Sequence, residues 1–245
     1  MSGSPFKAIL FDLGHTLIHF TGKFDQVIAE ASQNLAERLR SLGFPLEPYD
    51  FATLYQKNLN TYYVKRNQDL IESGSLAILE QTLQSFNTTS IDPKILAEAL
   101  KAFFVVTQRH WQAVEHAPEI LDVLFLRGYR MGIISNASND CDVQLLVEKA
   151  GIRPCLEFVL TSAAVGYRKP HPLIFQRAVQ ALDLPPGQIA LVGDQLDADI
   201  LGGNQASLHT IWVTAHQLPQ HSTPGVLPTQ TITNLSELLD FFPEI

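Results

Sequence analysis

Apolar and polar positions follow two different rhythms along this chain, and the change of rhythm divides it. Ala8-Ile9-Leu10-Phe11 is a short apolar run between Lys7 and Asp12, followed by Gly14 and Thr16, which predicts a buried strand running into a polar loop. From residue 24 to 42 the apolar side chains fall at Val27, Ile28, Ala31, Leu35, Leu39 and Leu42. That three-to-four spacing predicts an amphipathic helix, stopped by Gly43 and Pro45. The same period continues over 51–64, over 76–86, and from Asp92-Pro93 to about residue 114, where the Asp caps and the Pro occupies the first turn. No stretch between Gly22 and His116 predicts a strand.

After Pro118 short apolar runs take turns with helical patterns. Helices are predicted over 119–126, 142–149, 173–182 and 199–205, and strands over 131–134, 158–160, 189–192 and 210–213. Strands separated by helices of this length make a parallel sheet with right-handed crossovers and both faces covered. The stretch 215–231, rich in Pro, Gln, His and Thr, predicts an irregular loop before a last helix over 235–242. The expected organisation is an α/β core built from residues 1–17 and 117–245, interrupted after its first strand by a helical insertion over 18–116.

Composition narrows the partners. With 46% hydrophobic and 17% charged residues the chain can bury a large core. Seventeen Lys+Arg against 25 Asp+Glu leave a net charge of −8, without the clustered basic side chains that hold a phosphate backbone, so nucleic acid is not an expected partner. Apolar runs such as 102–106 and 123–126 are far below the ~18 residues of a membrane span. No charged segment followed by a long apolar one precedes the first strand, so no secretory signal is read. Cys141 and Cys155 are too few for a disulfide framework and have no metal-binding spacing. A cytoplasmic location follows as the expectation.

In an open parallel sheet, ligands gather outside the carboxyl ends of the strands. The polar punctuation of this chain falls there: Asp12, then Ser135-Asn136, then Tyr167-Arg168-Lys169-Pro170, then Gly193-Asp194 with Asp197 and Asp199. Singly, an Asp beside a Gly is a turn device. Together, carboxylates from different strands offer hard oxygen ligands for Mg²⁺, and a Lys with Ser/Asn donors suits an anionic group.

On these residues the chain resembles the haloacid dehalogenase (HAD) superfamily, in its capped, phosphatase-like branch. The first motif of that family, hydrophobic-D-x-D-x-[TV], is similar to Phe11-Asp12-Leu13-Gly14-His15-Thr16-Leu17; the second resembles Ile133-Ile134-Ser135-Asn136; the third resembles Arg168-Lys169-Pro170; and the fourth, GDxxxxD, matches Gly193 to Asp199. The resemblance covers essentially the whole chain. It implies a Rossmann-like parallel-sheet core with a helical cap domain inserted after the first strand. It further implies a Mg²⁺-dependent hydrolase of a small phosphorylated metabolite, acting as a monomer or homodimer away from membranes. In that family Asp12 would be the nucleophile, forming an aspartyl-phosphate. Asp12, Asp194 and the Gly14 carbonyl would hold the metal, with Asp199 reaching metal-bound water or orienting Lys169. Ser135, Asn136 and Lys169 would bind the phosphoryl oxygens.

One position departs from the family pattern. Where the phosphatases carry a second Asp, two residues after the nucleophile, this chain has Gly14. Backbone coordination survives that change, whereas a positioned acid or base is worth ~10²–10⁴ in rate. His15 is adjacent and titrates near neutrality, so it is the candidate replacement and a candidate substrate contact. Its alternative is a loop-packing side chain. Family dehalogenases also lack the second Asp, which makes a C–halogen hydrolase the alternative reading, beside a degenerate member that binds metal and phosphate without turnover.

Within the insertion the residues that could meet a substrate are Lys65, Arg66, His110 and Trp111. Lys65-Arg66 also reads as a helix-end charge pair, Trp111 as cap core at helical spacing from Phe104 and Val114, and Arg38 and Arg40 as a solvated helix face. Asp197 reads as a solvated charge, Cys141 as a small packed or capping-turn residue, and His216 and His221 as loop residues without a role.

Overall fold

In the computed structural model, which describes residues 5–88, 91–215 and 224–245, the chain opens on β1 (Ala8–Phe11) and reaches β2 (Ile18–Phe20) through a tight loop. Four helices follow: α1 (Phe24–Ser41), α2 (Pro48–Asp69), α3 (Gly74–Gln84) and α4 (Pro93–Gln108). The chain then passes β3 (Trp111–Ala113), α5 (Ala117–Leu126), β4 (Arg130–Ser135), α6 (Asp140–Lys149), β5 (Phe158–Thr161), α7 (Ser162–Val165), α8 (Pro172–Leu182) and β6 (Ile189–Gly193). It ends through α9 (Leu201–Gln205), β7 (His209–Val213), β8 (Gln230–Ile232) and α10 (Leu238–Phe241). Two compact units result. One runs to His19 and resumes at Gln112, and the other is Phe20–Trp111.

The first unit is built on a six-stranded sheet in the order β5-β4-β1-β6-β7-β8, parallel at every pairing. All four β1 residues are fully buried, as expected of a parallel strand covered on both faces. On one face α8 lays Ile174, Phe175, Ala178 and Leu182 against Ala8, Leu10 and Leu191. Strand order reverses around β1, since Phe11 is in register with Ile133 of β4 on one side and Val192 of β6 on the other. Such a switch point opens a crevice at the carboxyl ends of the strands.

The second unit is helical. Val27, Ala31, Leu35 and Leu39 repeat every four residues and form the buried stripe of α1, which packs on both α2 and α4. Phe51, Tyr55, Leu59 and Tyr62 of α2 and Leu96, Ala99, Leu100 and Phe103 of α4 complete that core. Pro93 opens α4 behind Asp92, whose Oδ1 accepts the Lys94 N–H at 2.9 Å.

Three sequence expectations are corrected. The helix expected to run to about residue 114 ends at Gln108, and Trp111 lies in β3, paired with β2, rather than on a helix. Hydrogen bonds at the neighbouring positions account for the stop: the Thr21 N–H and hydroxyl both donate to the His110 carbonyl, at 2.7 and 3.0 Å, and His110 Nδ1 donates to the Thr21 carbonyl at 2.7 Å. The stretch expected to be irregular contributes edge strand β8, whose Thr231 and Ile232 pair with Trp212 and Val213. The helix expected over 199–205 begins earlier, as a π-helical turn over Leu196–Ile200 that leads into α9. His216 and His221 lie outside the described residues.

Candidate active site

Asp12 is the first residue beyond β1, and its N–H donates to the Val192 carbonyl of β6 at 2.8 Å, so the sheet ladder itself fixes where its side chain starts. Lys169 reaches the same point from the segment before α8. Its ammonium lies 2.6 Å from Asp12 Oδ1, 2.7 Å from Asp199 Oδ1 and 2.8 Å from the Ile134 carbonyl. Of the three N–H donors of an ammonium, two are given to Asp12 Oδ1 and the Ile134 carbonyl, while Asp199 Oδ1 is held as an ion pair. The Lys169 backbone is equally fixed: its N–H donates to Asn136 Oδ1 at 2.7 Å, while Asn136 Nδ2 donates to the Lys169 carbonyl at 3.0 Å. The Asn136 carboxamide is thus bound at both ends to the lysine it positions.

Asp194 and Asp199 come from the end of β6 and the π-helical turn after it. The turn is closed by Gln195, whose carbonyl accepts from Asp199 N at 2.8 Å and Ile200 N at 3.2 Å, and whose N–H donates to Asp199 Oδ2 at 3.0 Å. The Trp212 indole of β7 donates to the Asp194 carbonyl at 2.9 Å. Asp12, Asp194 and Asp199 are all buried, and each offers an oxygen within 4.8 Å of the others. Asp197, by contrast, is exposed.

Three carboxylates against one ammonium leave negative charge out of water, and the titrations reflect it. Burial pushes the Asp12 carboxyl up to about 6, against the pull of Lys169 and with a push from Asp199. Burial, then Asp12 and Asp199, push Asp194 up to about 9. Burial alone would lower Lys169, but the Asp12 and Asp199 carboxylates outweigh it and hold the ammonium above its ordinary value. Asp12 Oδ2 is buried without a hydrogen-bond partner among the described residues. A hard divalent cation fits this set: the donors are all carboxylate oxygens, one of them unpartnered, and they carry excess negative charge.

The remaining expected residues are less tightly placed. Ser135 is buried as the last residue of β4, beside the carbonyl that receives Lys169. Gly14 and His15 lie on the loop after Asp12, which is closed by Leu17 and Ile18 N–H groups donating to the Leu13 carbonyl at 2.9 and 3.0 Å. His15 adopts φ 60°, with its N–H donating to the Ile18 carbonyl, whereas Gly14 is not in the left-handed region. Glycine at 14 is therefore not demanded by backbone conformation. Among insertion residues, Arg66 lies 5.2 and 4.4 Å from the ring centres of Tyr62 and Tyr63, Arg40 pairs with Glu37 at 2.9 Å, and Arg38 is exposed. Cys141 is exposed in the first turn of α6 rather than packed.

Three contributors carry no side-chain signal in the sequence: the Ile134 carbonyl, the Gln195 N–H and Gly193. Two of these are main-chain groups, invisible to residue type. Gly193 was legible only as half of a Gly-Asp pair.

An all-parallel α/β sheet that gathers three acids and a lysine at the ends of its central strands defines the class, a hydrolase of the Rossmann-like kind. Residues 6–207 match the family described as haloacid dehalogenase-like hydrolase, and the chain belongs to that family. Among curated relatives, it is 36% identical over 110 residues to the pyrimidine 5'-nucleotidase YjjG of Escherichia coli, a match spanning 44% of this chain and 48% of that one. It is 29% identical over 206 residues to a glyceraldehyde 3-phosphate phosphatase of Pyrococcus furiosus, covering 84% of this chain and 80% of the relative. The fold is shared with a 2-haloacid dehalogenase of Pseudomonas syringae, at a TM-score of 0.71, 21% identity and coverage of 96% and 97%.

Proposed function

We propose that this hydrolase is a Mg²⁺-dependent phosphatase of small phosphorylated metabolites, in which Asp12 is the nucleophile. The observation that carries the reading is the Lys169 ammonium held between Asp12 and Asp199 while Asp12 Oδ2 is left unpartnered. One carboxylate oxygen is thereby oriented by the lysine and the other is available to attack. Curated relatives named as a pyrimidine 5'-nucleotidase and a glyceraldehyde 3-phosphate phosphatase support the substrate class.

In this reading Asp12 Oδ2 attacks phosphorus, the P–O bond breaks with its electron pair leaving on the departing oxygen as an aryloxide or carboxylate, and an aspartyl-phosphate forms. Water then attacks phosphorus, releasing phosphate and restoring Asp12. Lys169 and the Ser135 hydroxyl bind phosphoryl oxygens, and Asn136 acts on them by fixing Lys169. Asp12, Asp194 and the Gly14 carbonyl would hold Mg²⁺, which offsets the repulsion between carboxylate and phosphoryl group. Both oxygens of Asp199 face groups of the protein, so its part is to hold Lys169, with the cation reached only through water. Without an acid at position 14, esters with good leaving groups are favoured, since aryl and acyl oxygens depart without a proton. The helical insertion is assigned as the substrate-selecting cap. Two cysteines with no disulfide between them fit a reducing cytoplasm, and no helix among the described residues is long and apolar enough to cross a membrane.

Purified protein should hydrolyse 4-nitrophenyl phosphate with Mg²⁺ and not with chelator, and Asp12→Asn should abolish that activity. Hydrolysis that persists in Asp12→Asn overturns the mechanism. Gly14 favours a second reading, a C–halogen hydrolase working from Asp12 alone, for which halide release from a 2-haloacid in chelator is the distinguishing result.

A further inference from the structure

Lys169 is flanked two residues away on each side by a ring, Tyr167 before it and His171 after it. Residues 166–171 join α7 to α8, and Lys169 and Pro170 form the corner of a turn in that link, closed by the His171 N–H donating to the Arg168 carbonyl at 2.8 Å. The two rings meet across the base of this turn. Their centres are 4.1 Å apart and their planes 19° from parallel. Aromatic pairs in such contact attract beyond the area they bury, so the stack joins the two limbs of the turn by their side chains.

A lysine needs such a frame. Its four-carbon stem is flexible, yet the Lys169 ammonium stands 2.6 Å from Asp12 and 2.7 Å from Asp199, which requires the stem to start from one place. Asn136 holds the corner of the turn through the Lys169 peptide, at 2.7 and 3.0 Å. The stack holds its limbs.

His171 also has a second task. As the N-cap of α8 it accepts the Leu173 N–H on Nδ1 at 3.2 Å. Capping needs an acceptor at this position, which Asn supplies without a ring, and stacking needs a ring, which Phe supplies without an acceptor. Both Tyr167 and His171 are half-buried, so neither exchange opens the core.

We propose that Tyr167 and His171 are positioning residues for the hydrolysis, their stack fixing the turn from which Lys169 reaches Asp12, Asp199 and the transferred phosphoryl group. The inference rests on the phosphatase reading, in which Lys169 binds phosphoryl oxygens. Neither ring is assigned a contact with substrate.

The test compares two variants of one residue, by 4-nitrophenyl phosphate kinetics at saturating Mg²⁺, by Tm, and by calorimetric binding of inorganic phosphate to Mg²⁺-loaded protein. His171→Asn should keep a Tm close to the wild type while kcat falls about tenfold with a smaller change in KM, less than a full ångström of misplacement costs. Phosphate should bind it more weakly. His171→Phe should do the reverse, lowering Tm and sparing most of kcat and of phosphate affinity. Tyr167→Leu should behave as His171→Asn does, and Tyr167→Phe should recover the loss. A role in capping alone gives the opposite order for the two His171 variants, and that order overturns the proposal, as does wild-type kcat in Tyr167→Leu. A wild-type chain that binds phosphate without hydrolysing the ester overturns the phosphatase reading, and the stack is then decided by the phosphate affinities. A wild-type chain that does neither overturns both.

Discussion

Gly193 and Asp199 approach so closely that a methyl group on residue 193 would sit 2.4 Å from the Asp199 carboxyl carbon. The π-helical turn folds Asp199 back over the end of β6, and only a residue without a side chain leaves room for it. Gly193→Ala should displace Asp199 from Lys169. Overpacking of this kind destabilises by about 1–3 kcal/mol, read as a fall in Tm, and Mg²⁺-dependent hydrolysis should drop at least about tenfold. Unchanged turnover would show that Asp199 has no part in positioning Lys169.

Asn136 should behave as a positioning residue. Asn136→Ala removes both hydrogen bonds to the Lys169 peptide, which are together worth about 1–3 kcal/mol. The expected result is a lower kcat with a smaller change in KM. Asn136→Asp, which keeps the acceptor for the Lys169 N–H and loses the donor, should recover part of it. A KM effect alone would place Asn136 on the substrate instead.

The raised carboxyls predict an unusual dependence of stability on pH. Asp12 and Asp194 titrate at about 6 and about 9 in the folded chain, against about 4 when unfolded. The folded protein therefore binds more protons than the unfolded one between those limits, and stability falls as pH rises through that window. Lys169, held above its ordinary value, contributes stability that is complete below about pH 10 and does not oppose this trend. Metal-free protein should lose Tm steadily from about pH 5 to about pH 9, and Mg²⁺ should raise Tm more at the upper end. A Tm that climbs over the same range would contradict the charge assigned to the site.

Gly14→Asp should add the missing acid without backbone strain, because residue 14 is not in the left-handed region. Hydrolysis of alkyl phosphates should rise by at least about tenfold, at the low end of what general acid–base catalysis supplies. Aryl phosphates should change little. Equal gains on both would argue against a leaving-group role for this position.

The two cysteines should differ sharply in reactivity. Cys155 is buried, and its Sγ donates to Asp122 Oδ1 at 3.0 Å; burial first, and then the Asp122 carboxylate, push its thiol up to about 12. Cys141 is exposed. Iodoacetamide at neutral pH should label native protein once, at Cys141, and unfolded protein twice, as counted by mass spectrometry.

Much of this was legible in the sequence because side-chain chemistry and strand punctuation coincide. Asp12, Ser135-Asn136 and Asp194 stand at or just beyond the ends of apolar runs, and those runs became β1, β4 and β6. What escaped had weak local signals. Strand β3 continues the apolar spacing of α4, and its identity is set by pairing with β2, 90 residues away in the chain. The strand β8 follows a Pro-rich stretch and exists because β7 offers it an edge. Helix α2 extends past residue 64 through exposed polar positions that carry no period. The tether of Lys169 by Asn136 depends on where two loops meet, and residue type at 136 announces only a polar side chain.

The central place of β1 sets the order in which the molecule can be made. Ala8–Phe11 leaves the ribosome well before its partners, Arg130–Ser135 and Ile189–Gly193. Pairings of such sequence separation close large loops and form late. The helical unit Phe20–Trp111 draws its core from its own residues and can collapse while the first strand still waits. A nascent chain stalled before residue 189 would hold the nucleophile on a strand paired at most on its β4 side, with the other edge open to aggregation and to chaperones, and Asp12, Lys169 and Asp199 come into one place only once residue 199 has been made.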